Sequence, residues 1–143
     1  MGQKHPQLFQ RMLDILKHVW RCSRIVVDAT GIGEPVTSFS KQALGNKIVP
    51  FKFTQNTKSE AGFDLLAALN SGRLKIYRQD GSEEYRELMF QLEKARSVYR
   101  PNQTLNFFVD PADGHDDYLM SLALAIQAAK GYLPRKATGE IRV

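Results

Sequence analysis

A single cysteine, Cys22, leaves no internal disulfide, and with that it excludes the stapled miniature scaffolds of secreted proteins. A reduced, cytosolic compartment is the expectation. Long apolar runs are also missing. None approaches the roughly 18 residues of a membrane span, and no apolar signal core follows the N-terminus, so the sequence predicts an unexported protein with no membrane partner. There is no phosphate-binding loop, because Gly31-Ile32-Gly33-Glu34 is not followed by Lys-Ser/Thr at the required distance. No ATPase motor is expected. Repeats, low-complexity tracts and linkers are absent as well. One domain is therefore expected over 1–130, followed by a loose tail over 131–143, where Pro, Gly and charge mix without periodicity.

What is present suits a compact domain. The 143 residues are 43% hydrophobic and 10% aromatic, enough for a real core, and 20 basic against 15 acidic residues give a net charge of +5. That excess favours a polyanionic partner only mildly.

Periodicity gives the order of elements. Leu8, Phe9, Met12, Leu13, Leu16, Val19 and Trp20 recur at helical spacing over Gln7 to Trp20. Arg24 to Asp28 is a β-branched run ended by a Gly-rich turn, which predicts a buried strand. A helix from Glu34-Pro35 stops at Gly45-Asn46, and a strand follows over Lys47 to Phe53. Lys58 to Leu69 reads as a helix and Leu74 to Tyr77 as a short strand. Glu83 to Val98 is a second amphipathic helix, closed by Pro101-Asn102. Thr104 to Val109 is a last strand, and a nearly all-apolar helix from about His115 to Ala129 should be buried. Such alternation predicts an α/β layer fold, with the strands near 25, 48 and 105 parallel.

Four acidic positions bear on chemistry. Asp28 ends the first strand, where open α/β sheets place ligand-binding groups; capping of the following turn is the competing reading. Gly114-His115-Asp116-Asp117 opens the last helix. Capping again competes, but Asp113 is placed to serve as N-cap, which leaves Asp116 and Asp117 redundant for that job. Close carboxylates repel, and a divalent cation is the simplest compensation. All-oxygen ligation points to Mg²⁺ or Mn²⁺ rather than zinc. His115 is either a solvent-facing helix-start residue or a group that binds phosphate or moves protons.

Taken in order, Ile25-Val26-Val27-Asp28 with Ala29-Thr30-Gly31-Ile32-Gly33, Lys58 opening a helix, Gly72-Arg73-Leu74, and Gly114-His115-Asp116-Asp117 with Ser121-Leu122-Ala123-Leu124-Ala125 resemble the C-terminal nuclease domain of phage terminase large subunits. The likeness runs from about Arg24 to Ala129. It implies a ribonuclease H-like mixed sheet flanked by helices, and an endonuclease that hydrolyses phosphodiester bonds of concatemeric viral DNA during packaging in the cytoplasm of a bacterial host. Such enzymes hold two metal ions that clamp the scissile phosphate for attack by water. By resemblance the metal ligands and catalytic acids are Asp28, Asp116 and Asp117, with a slight lean to Asp117 over Asp116. His115 is counted with them as a catalytic residue, and Lys58 faces the DNA backbone, with an ordinary solvated lysine as its alternative. Double-stranded DNA, the terminase ATPase domain, the small subunit and the portal are the implied partners.

Relative to that pattern, the N-terminal β-hairpin region with the first acid is missing, since the chain opens almost directly on its first helix. Asp14, on the polar side of that helix, is a poor substitute. A domain truncated at its N-terminus, as in a split or decayed phage gene, is the expectation. Lys94, Arg96, Arg100, Lys130, Arg135 and Lys136 are candidates for sequence-independent phosphate contacts or for a solvated face. Two other readings stay open: a ribonuclease H-like resolvase or transposase, and a catalytically dead remnant that only binds DNA or a partner.

Overall fold

The computed structural model describes residues 5–31 and 33–130. The expected tail over 131–143 and Ile32 of the Gly-rich turn lie outside them. Among the described residues the architecture is mixed α/β, with five α-helices and two small sheets.

The chain opens with α1 (His5–Asp14), which widens into a π-helical turn over Ile15–Val19 and stops at Arg21, whose φ is 47°. The expected helix to Trp20 is thus present in two parts. Its apolar stripe is not buried throughout: Leu8, Val19 and Trp20 are exposed, while Phe9 meets Phe39 edge-on. Strand β1 (Ile25–Asp28) follows, then α2 (Gly33–Leu44). A 3-10 turn over Gly45–Lys47 begins where Gly45 takes a φ of 64° and breaks the α2 ladder. Strand β2 (Ile48–Phe51) pairs parallel to β1, in the register Ile25 with Ile48 through Asp28 with Phe51.

Helix α3 (Gln55–Asn70) starts on a reciprocal cap. Thr57 N–H donates to Thr54 Oγ1 at 3.1 Å, and Thr54 N–H donates to Thr57 Oγ1 at 2.8 Å. It ends at Gly72, in the left-handed region at φ 69°. Leu74 to Tyr77, expected as a strand, joins no sheet. The Leu74 N–H is instead taken by the Ala68 carbonyl at the end of α3, and the Tyr77 ring packs edge-on against Tyr85.

Helix α4 (Glu83–Lys94), capped by Ser82 on the Tyr85 N–H, is shorter than expected. Arg96–Tyr99 forms strand β3, antiparallel to β4 (Leu105–Phe108). Pro101-Asn102, read from sequence as a helix stop, lies in the turn of this hairpin, which closes through Arg100 N–H to the Thr104 carbonyl at 2.8 Å. The parallel arrangement expected for the strand near 105 is therefore corrected. A neighbouring strand only a few residues away satisfies β4, and β1–β2 and β3–β4 are separate two-stranded sheets.

Helix α5 (Asp117–Ala129) packs along α3 and β1. Leu119 and Ala123 are buried with Leu65, Phe107 and Val109 in the main apolar cluster, while much of the rest of α5 is only half covered. Each fully buried side chain of the Leu or Phe class contributes about 1.5–3 kcal/mol. The crossing of α3 over β4 is close enough that a Cβ at Gly62 would stand 2.8 Å from Phe107 Cδ1. Glycine inside a helix costs about 1 kcal/mol against alanine, and here the close approach accounts for it. The buried Ser59 hydroxyl, accepting from Leu105 N–H at 2.9 Å, ties the same two elements together. No helix among the described residues is long and apolar enough to cross a membrane.

Candidate functional site

The C-terminal ends of the parallel strands and the first turns of α3 and α5 border one cleft of about 480 Å³. Asp28, Thr30 and Phe53 line it from the strand ends, Lys58 from α3, and Asp116, Asp117, Met120, Ser121 and Leu124 from the α5 side. Four residues singled out in the sequence, Asp28, Lys58, Asp116 and Asp117, are brought together although they span 90 positions of chain. His115 is exposed and does not line the cleft.

Asp28 is held by its own turn. The Thr30 N–H donates to Asp28 Oδ1 at 2.8 Å, so the capping reading describes half of the carboxylate, and Oδ2 accepts no hydrogen bond among the described residues. The turn is fastened to the end of β2 by Ala29 N–H to the Phe51 carbonyl at 2.8 Å and by Phe53 N–H to Thr30 Oγ1 at 2.9 Å. A carboxylate bound on one edge and exposed on the other is oriented rather than merely tethered.

Lys58 is the fourth residue of α3, one position after the cap residue Thr57. Thr57 Oγ1 also donates to the Lys52 carbonyl at 2.6 Å, which fixes the entry of the helix. The half-buried Lys58 ammonium lies 5.4 Å from the centre of the Phe107 ring. Burial pushes its pKa below the ordinary lysine value; the Asp116 carboxylate pulls it back up, and the Arg100 guanidinium lowers it further. Lys58 is thus a partly desolvated cation within the electrostatic reach of an acid and another cation.

The start of α5 corrects one expectation. Asp113 is not its N-cap; it pairs with Arg96 at 3.3 Å, and the helix begins two residues later than expected, with Asp116 at the N-cap position. Asp116 makes no side-chain capping bond. The N–H groups of Tyr118 and Leu119 are instead taken by Gln91 Oε1 of α4, at 2.9 and 3.0 Å. Gln91 carried no signal in the sequence, since it is 27 residues from Tyr118 and sits among ordinary helix formers.

Of the other basic candidates, Arg96 is engaged by Asp110 and Asp113, and Lys130 by Asp64 at 2.9 Å. Arg100 stands near enough to Lys58 to influence it. Arg135 and Lys136 lie outside the described residues.

Three carboxylates against one ammonium leave the cleft negative, and all-oxygen donors suit a hard divalent cation. As placed, they do not close into a coordination set: among the described residues, no three His, Cys, Asp or Glu side chains are grouped as ligands of one ion. The donor chemistry fits Mg²⁺ or Mn²⁺, whereas the spacing serves at most a pair of protein ligands at a time. No protein family, curated protein or solved structure matches the chain.

Proposed function

We propose that the chain is a divalent-metal-dependent DNA endonuclease domain of the ribonuclease H-like, phage terminase type, acting on double-stranded DNA. The observation that carries this reading is the gathering of Asp28, Lys58, Asp116 and Asp117 from three separate elements into one cleft. Their order along the chain and their placement on a strand end, a helix start and the last helix follow the pattern that the sequence resembles.

Each side chain has a task in this reading. Asp28, pinned by the Thr30 N–H, offers its other oxygen to a cation from a fixed direction. Asp116 and Asp117 offer carboxylates from the opposite wall of the cleft. Lys58 donates to a non-bridging phosphate oxygen, and its partial burial strengthens that contact because less water has to be displaced. Bound Mg²⁺ or Mn²⁺ would supply charge neutralisation at the scissile phosphate and lower the pKa of the attacking water. The terminase ATPase domain, small subunit and portal are partners on this reading, and a bacterial cytoplasm is its setting.

The test is nicking of supercoiled plasmid by the intact chain with Mn²⁺. Cleavage that Asp28→Asn abolishes supports the assignment, and cleavage undiminished by that change sinks it. One observation favours a second reading, a domain that binds DNA or a partner without cutting it: no three potential ligands converge among the described residues. Plasmid retention without nicking, and no Mn²⁺ affinity tighter than about millimolar, would select it. A resolvase or transposase relative would show itself by a preference for branched or terminal-repeat DNA over plain duplex.

A further inference from the structure

We propose that Gln91 is a positioning residue: by capping α5 in place of Asp116, it keeps the Asp116 carboxylate free to face the cleft. The inference rests on the metal-site reading above and adds to it the residue that releases one of its acids.

An Asp at a helix N-cap ordinarily turns its carboxylate onto the N–H groups two and three positions on. For α5, those are the N–H groups of Tyr118 and Leu119. Both donate to Gln91 Oε1, at 2.9 and 3.0 Å. Gln91 is only 1% exposed, and its Nε2 donates to Glu87 Oε1, one turn earlier on α4, at 2.8 Å. The amide is thereby fixed at both ends. Its donor side is committed to Glu87, so its acceptor side must face α5. Asp116 sits at the cap with a helical turn already closed on its carbonyl by Met120 N–H at 2.9 Å, yet its side chain makes no capping bond and lines the cleft. A second consequence concerns phosphate. With the Tyr118 and Leu119 amides occupied, they are not available as an anion site, so Lys58 of α3 remains the phosphate donor to the cleft.

Removing the Gln91 acceptor should return Asp116 to the capping role that local chemistry favours. The experiment is a two-by-two set of native chain, Gln91→Met, Asp116→Ala and the double variant, read by urea unfolding and by Mn²⁺ titration. Asp116→Ala alone should leave the unfolding equilibrium nearly unchanged. In the Gln91→Met background the same change should shift it by about fivefold, the equivalent of a lost N-cap. Equal shifts in both backgrounds overturn the inference. Gln91→Met should also weaken Mn²⁺ binding by about 10- to 100-fold, as loss of a ligand-orienting partner does. Lower stability with Mn²⁺ affinity unchanged would make Gln91 structural only, and would likewise overturn it.

Should Gln91→Met fail to fold, hydrogen exchange in Asp116→Ala decides: protection of the Tyr118 and Leu119 amides is expected to persist, and its loss refutes the cap exchange. A native chain without Mn²⁺ affinity would end the metal reading, while the unfolding cycle would still decide which residue caps α5.

Discussion

Helices α3 and α5 both present their first turns to the cleft, yet their unpaired N–H groups are satisfied from different places. At α3 the cap is local: Thr54 and Thr57 bond reciprocally within four residues, and the helix delivers Lys58 one position later. At α5 the cap is remote. Gln91 reaches in from α4, and the acids at the helix start contribute no side-chain cap bond. A helix that caps itself uses its own polar residues for structure, whereas a helix capped by a neighbour can keep its polar residues for a ligand. Acids at the start of α5 are therefore a stronger functional sign than the same acids would be at the start of α3.

The contrast can be broken most forcefully at Gly62, where α3 lies against β4. Gly62→Ala sets a methyl 2.8 Å from Phe107 and 3.0 Å from Leu105, and should cost about 1–3 kcal/mol in urea unfolding. Because the Phe107 ring also lies beside Lys58, the substitution should disturb the proposed DNA binding as well as stability. Next comes the cap of α3. Thr54→Ala should cost about 1 kcal/mol, against a few tenths for Asp116→Ala at the remotely capped helix. Similar costs for the two would erase the distinction.

Lys58→Met should separate stability from function. It removes a cation that burial disfavours, so the melting temperature should hold or rise, while the slope of log K against log salt for DNA should fall by about 0.9, one phosphate contact. An unchanged slope would return Lys58 to an ordinary lysine.

The smallest effect is expected away from the cleft, where Asp64 of α3 accepts from Gln127 at 2.9 Å and pairs with Lys130. Burial alone would raise the Asp64 pKa, but the bonds and charges from Gln127, Lys130 and Arg73 outweigh it and hold the carboxyl below its usual 3.8. The folded state binds this proton more weakly than the unfolded state does. The contribution is thus complete above pH 3.8 and is lost as the pH falls through the lower folded-state value. For so exposed a pair it is worth about 0.2–1 kcal/mol. The stability difference between native chain and Asp64→Asn should shrink at low pH, with the proposed DNA binding at neutral pH unaffected; a gap that widens on acidification would contradict the direction of the shift.

Much of the local structure was legible because its causes are local. The β-branched run at Ile25 to Val27, the Gly45 stop and the helix start at Glu83 each depend on residues within a turn of one another. Asp28, Asp116 and Asp117 could be singled out because an acid at a strand end or helix start is conspicuous, whereas Lys58 was picked out only through the family resemblance. The misreadings had non-local causes. Arg96 to Val98 continued a helical pattern but became part of a strand because β4 offered a partner and Asp110 and Asp113 held Arg96. Asp113 lost the capping role to that same pairing.

The sequence by itself determined the five helices and the strands β1, β2 and β4 in outline, and which charged residues lack an obvious structural use, since both follow from short-range periodicity and propensity. Only the tertiary structure decided that those residues share a cleft and that the strands divide into two sheets. It also decided that a buried amide from α4, rather than an acid of α5, caps the last helix. The cleft and the remote cap join positions tens of residues apart, and all three depend on how the helices and sheets pack, which short-range patterning does not specify.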